Sequence, residues 1–347
     1  VNDADLTVSS PLTGALRWVR RRGRLLLVAL VAIVLLGAAA LRFDLVARLG
    51  GPSDLERALR LLPATVTSVV YADSAATAAR LDLEVERGSY ADHEEEYAAA
   101  VAGAPWLAPL GASDLVTWED TMDGGAWSAL DVRWSAVGRT GATSYAVLEL
   151  DGDVDLDAVG DELVDHGYTE AEVAGRRSFE MTDYAALGDY PFLTRVTFLD
   201  GHVLGIGEAG PLTEVADGDA DSLADAGRFD AVLPDEDAEA AVLRQDSDCA
   251  AAVGSAVVPA DGGVAGLVRL APPRDADVER AAADRRGLVA AQGQDGADVA
   301  ERLDLADVTV EVDDDVVVVR FRAAGSRLLE TLEDGTLAAC SVDQALG

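Results

Sequence analysis

Asp151, Asp153, Asp155 and Asp157, followed by Glu162, occupy positions 1, 3, 5, 7 and 12 of one short stretch, the oxygen-ligand spacing of a calcium loop. Position 6 is Leu156, where such a loop needs glycine for its sharp turn. Calcium is the one cofactor this spacing suggests. A solvated turn entering a helix whose first residues are acidic explains the same pattern through the helix dipole. DGDADS at 217–222 repeats the carboxylate spacing but carries Arg228 at position 12.

Gly205, Gly207 and Gly210 spell the dinucleotide fingerprint G-x-G-x-x-G. The strand before them is joined by the turn Asp200-Gly201 to another strand, so it does not open a parallel βαβ unit. Small residues easing a strand-to-helix turn are the better account. His93, His166 and His202 are the only histidines. His93 opens HEEEY, which lacks the second histidine of a zinc helix, and no G-x-S-x-G elbow is present. All 27 basic residues are arginine, which excludes Schiff-base lysines and a P-loop lysine. Catalytic and cofactor-binding residues are therefore left unassigned. Trp106, Trp118, Trp127 and Trp134 fall within 29 residues. They could line a ligand groove, but Trp106 and Trp134 read better as core anchors, with the others partly covering the core.

Cys249 and Cys340 are the only thiols, with no C-x-x-C and no neighbouring histidine. In an oxidising compartment an even count points to one disulfide, 249–340.

The charge balance sets the partners. Of 347 residues 63 are acidic, the net charge is −36, and a positive footprint for nucleic acid is missing. Asp outnumbers Glu by 42 to 21. Coding bias and adaptation to high salt both produce that pattern. Five arginines against Asp3 and Asp5 make residues 1–24 net +3, whereas 22 arginines against 61 acids make residues 42–347 net −39. Between them, residues 25–41 (LLLVALVAIVLLGAAAL) carry no charge. This run reaches about 25 Å as a helix, the short end of a membrane span. The arginines in front of it orient the amino terminus to the cytoplasm and the remainder outside. An uncleaved signal anchor is expected; cleavage near Ala40 and secretion is the alternative.

These features divide the chain into a cytoplasmic basic stub (1–24), a transmembrane helix (25–41), a juxtamembrane amphipathic helix (42–62) and an extracytoplasmic region (63–347). In the last, turn residues offer a boundary near 254–263. Within it, TVTSVVYAD (65–73) reads as a strand, followed by an alanine-rich helix and a second helix from about Tyr90 to Ala102. Three hairpins, each followed by a helix, come next: 131–138 with 143–150, 194–199 with 203–207, and 307–312 with 316–323. Asp155 is placed to cap the first of these helices. The expected fold class is α+β: the transmembrane helix, then an antiparallel sheet of ββα units with helices on one face.

VVYADSAATAARL (69–81), GYTEAEVAGRRSFEM (167–181) and LDGHVLGIG (199–207) resemble uncharacterised single-span membrane-anchored proteins of GC-rich Gram-positive bacteria, over roughly residues 60–255. The resemblance implies an envelope location and transfers no functional residue. The functional expectation is a non-enzymatic binding or interaction module, tethered to the membrane through 25–41, whose partner is an envelope protein, a wall polymer or a small solute. An exported hydrolase using carboxylates or a divalent ion is one alternative, and an accessory subunit of a membrane complex is another.

The cysteine pair provides a first test. Non-reducing peptide mapping of the exported protein should yield a linked 249–340 peptide, and closing that loop should stabilise by roughly 4–5 kcal/mol. Two alkylatable thiols in the native protein would refute the bridge.

Overall fold

The computed structural model describes residues 52–83, 90–107, 126–181, 195–245, 250–273, 276–291 and 299–323, together with Leu328, Thr331 and Leu337. The expected transmembrane run 25–41, Cys249, Cys340 and Trp118 lie outside the described residues. Among the described residues no helix is long and apolar enough to cross a membrane.

From Asp54 on, the described residues belong to one unit. Its helices are α1 (Asp54–Leu59), α2 (Ser74–Leu81), α3 (Tyr90–Gly103), α4 (Leu156–Asp165), α5 (Ala209–Asp217), α6 (Val278–Val289) and α7 (Val299–Arg302). Its strands are β1 (Ser68–Asp73), β2 (Val132–Thr140), β3 (Thr143–Leu150), β4 (Tyr168–Val173), β5 (Arg176–Met181), β6 (Arg195–Asp200), β7 (Val203–Ile206), β8 (Ala240–Arg244), β9 (Ala252–Ala260), β10 (Gly263–Ala271), β11 (Ala306–Asp313) and β12 (Val316–Arg322). All twelve join in one sheet, in the order β11-β12-β10-β9-β8-β1-β2-β3-β7-β6-β5-β4. Every pairing is antiparallel.

The expected fold class is corrected here. The expected antiparallel sheet of ββα units with helices on one face is instead a single large twelve-stranded sheet with few helices, covered on both faces. On one face, Tyr71, Trp134, Val147, Leu243, Val258 and Val318 share a core with α1, with Leu212 of α5 and with Leu223, Phe229 and Val232. On the other face, α6 and α7 bring Ala282 and Val299 onto Val257, Val268, Val317 and Phe321. Further along, α4 brings Val159 and Leu163 onto Leu148, Phe179, Val196 and Leu204. The physical signature is the run of valines 316–319, buried at all four positions. A strand that faces solvent on one side would alternate, and a strand covered on both sides does not. Strands β8, β9 and β10, which lie outside the three expected hairpins, are buried in similar continuous runs. Residues 254–263, the expected boundary, lie in β9, the turn after it and the first residue of β10, inside the sheet. At one edge β4 exposes Thr169, Glu170, Ala171 and Glu172, and at the other β11 carries a register shift after Ala306. Such edges resist pairing with other chains.

Other boundaries moved less. Of the expected amphipathic helix over 42–62, the described residues form α1, whose Leu55, Ala58 and Leu59 are buried in the domain core. Of the expected helix after β12, Leu328 and Thr331 are described, and both are buried.

The chain follows one path twice. Strand β1, hairpin β2–β3, helix α4 and hairpin β6–β7, with β7 against β3, correspond to β8, β9–β10, α6 and β11–β12, with β12 against β10. Both central hairpins close on two-residue turns, Thr140↔Thr143 and Ala260↔Gly263. Asp155 and Asp277 cap the two helices alike, each accepting from the N–H groups two and three residues on. The halves meet where β1 pairs β8, with Val70 opposite Val242. Hairpin β4–β5 is extra to the first half.

Close packing demands glycine at two sheet positions. A Cβ at Gly254 would run into the carbonyl oxygen of Val232, and one at Gly266 into the ring of its cross-strand partner Phe321. Gly254→Ala should therefore lower stability by roughly 1–3 kcal/mol in urea unfolding. Gly287→Ala in α6, where nothing lies within 4 Å, should raise it by about 0.5–1 kcal/mol. Equal effects would contradict this packing.

Candidate functional site

Four of the five calcium candidates do separate jobs through their side chains, and Asp153 enters only through its backbone N–H. Asp151 accepts from the Asp153 N–H at 3.3 Å, and Asp155 caps α4 through the Asp157 and Ala158 N–H groups. Asp157 is ion-paired with Arg177 at 2.9 Å, and Glu162 accepts from the Ala126 N–H at 2.7 Å. Arg177 also binds Glu170 at 2.7 Å and lies over the Phe179 and Phe198 rings at 5.2 and 5.5 Å. Gly160 makes room for it in the facing helix. Among the described residues no three His, Cys, Asp or Glu side chains are grouped as a metal site. At 217–222, Asp217 pairs with Arg176 at 2.5 Å.

The fingerprint glycines are explained by contact. A Cβ at Gly205 would press on Leu199 and Leu212, and Gly207 has φ +119 with the Ser144 carbonyl oxygen 2.9 Å from where its Cβ would stand. Strand β7 pairs antiparallel with β6 and β3, so no parallel βαβ unit opens here.

The polar chemistry that the fold assembles lies elsewhere, at the end of β1. Two clusters of Arg, Glu and Trp flank it. In one, Arg57 of α1 grips Glu149 of β3 through two hydrogen bonds of 2.9 and 3.1 Å, and Trp134 Nε1 of β2 donates to the same carboxylate. Arg57 also pairs with Asp54 at 2.7 Å and lies 5.8 Å from the Trp134 ring centroid. In the other, Glu239 before β8 accepts from Arg80 Nε at 2.5 Å and Nη2 at 2.9 Å, from Trp106 Nε1 at 3.0 Å and from Thr77 Oγ1 at 3.2 Å. Its side chain is 3% exposed. A carboxylate buried this deeply is tolerable only because charged and neutral donors replace its water.

Between the clusters stand Tyr71 and Asp73. Tyr71 is buried, and its hydroxyl donates to Asp73 Oδ2 at 3.4 Å. Burial raises that hydroxyl well above the ordinary tyrosine value, helped by the charges of Asp73, Asp54 and Asp237. Burial likewise pushes the Asp73 carboxyl up to about 6, with Asp54 adding to the shift; the Ala76 N–H, Arg133 and Tyr71 oppose it.

Of the tryptophans, Trp106, Trp127 and Trp134 are all fully buried, Trp127 more than expected. The acids that Trp106 and Trp134 hold were not singled out from sequence. Glu149 had one usable signal: it shares strand parity with the inward-facing Tyr145 and Val147. Glu239 had none, since its partner Arg80 is 159 positions away.

The buried pair is testable. Arg80→Ala should cost about 3–5 kcal/mol in unfolding free energy by stranding Glu239, whereas Trp106→Phe should cost about 1–2 kcal/mol, because Arg80 Nε and Nη2 and Thr77 Oγ1 still donate. A negligible effect of Arg80→Ala would remove the pair from the fold's foundations.

No family model and no curated protein matches the chain. Among solved structures, crystal form III of TP0453 is 8% identical, with 82% of this chain and 98% of that chain covered at a TM-score of 0.42. Crystal form I of TP0453 is 8% identical, with 83% and 97% covered at a TM-score of 0.39. Likenesses at this level assign neither a family nor an activity.

Proposed function

We propose that the chain is a membrane-anchored protein whose acidic region works outside the cytoplasm as a non-enzymatic binding or interaction module of the cell envelope. In this reading residues 25–41 are the anchor and residues 1–24 stay on the cytoplasmic side. The observation that supports binding over catalysis is the engagement of Glu149 and Glu239. Each carboxylate beside a tryptophan, the pairing a hydrolytic or sugar-binding site would use, is already held by an arginine and an indole N–H. Their geometry serves packing.

The nature of the surface points to the kind of partner. Residues 42–347 carry a net charge of −39, and among the described residues only Leu81 and Val164 are large apolar side chains left exposed. A partner recognised by charge fits this surface better than one docked on an apolar face. A basic envelope protein is the form proposed here.

Crosslinking in intact cells followed by pull-down tests the proposal. A basic extracytoplasmic partner should be recovered, and its yield should fall steeply as salt rises from about 50 to about 500 mM before crosslinking. Recovery of the full-length chain as a free cytosolic protein, or salt-independent capture of an acidic partner, would overturn it.

A further inference from the structure

The two halves of the sheet correspond residue by residue. Moving every position of hairpin β2–β3 on by 120 reproduces the pairing of β9–β10: Trp134↔Glu149 becomes Gly254↔Arg269, and Thr140↔Thr143 becomes Ala260↔Gly263. A shift of 170 carries β1 onto β8, so that Tyr71↔Ala136 becomes Ala241↔Ala256. The outer strand follows, Leu148↔Leu204 becoming Val268↔Val319. Charge keeps the same correspondence with its sign reversed. Glu149 and Arg269 hold equivalent positions, and both are largely withdrawn from solvent. Each is ion-paired with a residue from the segment leading into its own half, Glu149 with Arg57 and Arg269 with Asp235.

The register between the halves carries the decisive sign. In a two-fold dimer one patch meets its own copy, so a contact between i and j recurs as one between j and i. Strands β1 and β8 pair in that way. Tyr71 faces Ala241, its own counterpart, while Val70↔Val242 and Ala72↔Ala240 are the two copies of a single contact. A two-fold axis therefore passes through the sheet between Tyr71 and Ala241. Such an axis leaves each face of the sheet on its own side. Helix α4 against Leu148 and α6 against Val268, the counterpart of Leu148, obey that rule.

We infer that the domain is two copies of one β-ββ-α-ββ unit fused in tandem, with β1–β8 as the subunit interface of a former two-fold dimer. The partner that this strand edge fits is a second copy of the unit, and divergence now selects the unlike copy. Like pairing in the same register would set Tyr71 against Tyr71, or leave Ala241 against Ala241, whereas unlike pairing fills the space once. The core around Tyr71, Trp134, Leu243, Val258 and Val318 runs across the seam, as in an obligate dimer whose interface resembles a domain core cut in half. The junction between the units is short. On the first side the Leu223 and Ala224 N–H groups donate to the Leu62 and Leu59 carbonyls, on the second Val232 lies over Gly254, and positions 225–228 between them are exposed.

Cutting the folded full chain tests this. A specific protease site inserted after Gly227 separates the two units, and the same site after Gly262, in the exposed turn between β9 and β10, cuts inside the second. After unfolding in urea and dilution, the pieces from the cut at 227 should co-purify in a one-to-one ratio. Their yield should be on the order of tenfold above that from the cut at 262, because only the first cut leaves both units whole. Equal yields, or recovery of one piece paired with another copy of itself, overturn the inference. An experimentally determined structure gives a second reading: superposing 68–73, 132–140 and 143–150 on 238–243, 252–260 and 263–270 should take half a turn about one axis. A rotation far from half a turn overturns the two-fold relation even where the pieces reassemble.

Discussion

The antiparallel pairing of β1 with β8 is the contact on which the sheet depends. It joins two strand paths that are each paired within themselves, β1 with β2 and β8 with β9, and it alone makes one sheet of the two. The pairing sets small side chains of β8 against β1, Ala240 opposite Ala72 and Ala241 opposite Tyr71. These let α2 and the turn at Trp106 approach one face while α1 covers the other. A sheet of this width, covered on both faces, needs apolar residues on both sides of its central strands. That need explains the valine and alanine content better than any membrane-facing role for the folded part.

The same seam concentrates polar chemistry. Glu239 immediately precedes β8 and Asp73 ends β1, so the two acids come together because the two strands pair. Their surroundings differ. Glu239 is surrounded by donors that replace its lost water, and Asp73 has fewer donors and a neighbouring acid. Glu239 is thus held as the partner of Arg80, while Asp73 caps α2. Burial alone does not decide the behaviour of a carboxylate; the balance of donors and neighbouring charge does.

The repeated path helps to explain the acidic caps. Asp155 and Asp277 occupy corresponding places, after the second strand of a hairpin and before a helix that must turn back over the sheet. The calcium-like spacing at 151–162 is the by-product of that requirement joined to an aspartate-rich composition. Glu162 and Asp157 are drawn off by Ala126 and Arg177, which tie α4 to elements on either side of it.

Sequence alone determined what depends on a few neighbouring residues. The Asp155 cap, the turn Asp200-Gly201 and the hairpins 132–150, 195–206 and 306–322 were legible, because their hydrogen bonds close over short separations. The charge imbalance between 1–24 and 42–347 was legible too, since it is a count. Tertiary structure decided the rest. The order of the strands, the covering of both faces, the place of β8–β10 within the sheet and the burial of Glu149 and Glu239 all arise from contacts between distant positions. Arg80 meets Glu239 across 159 residues and Arg57 meets Glu149 across 92. No local pattern encodes such encounters, because each side chain's environment is created only when remote strands pair.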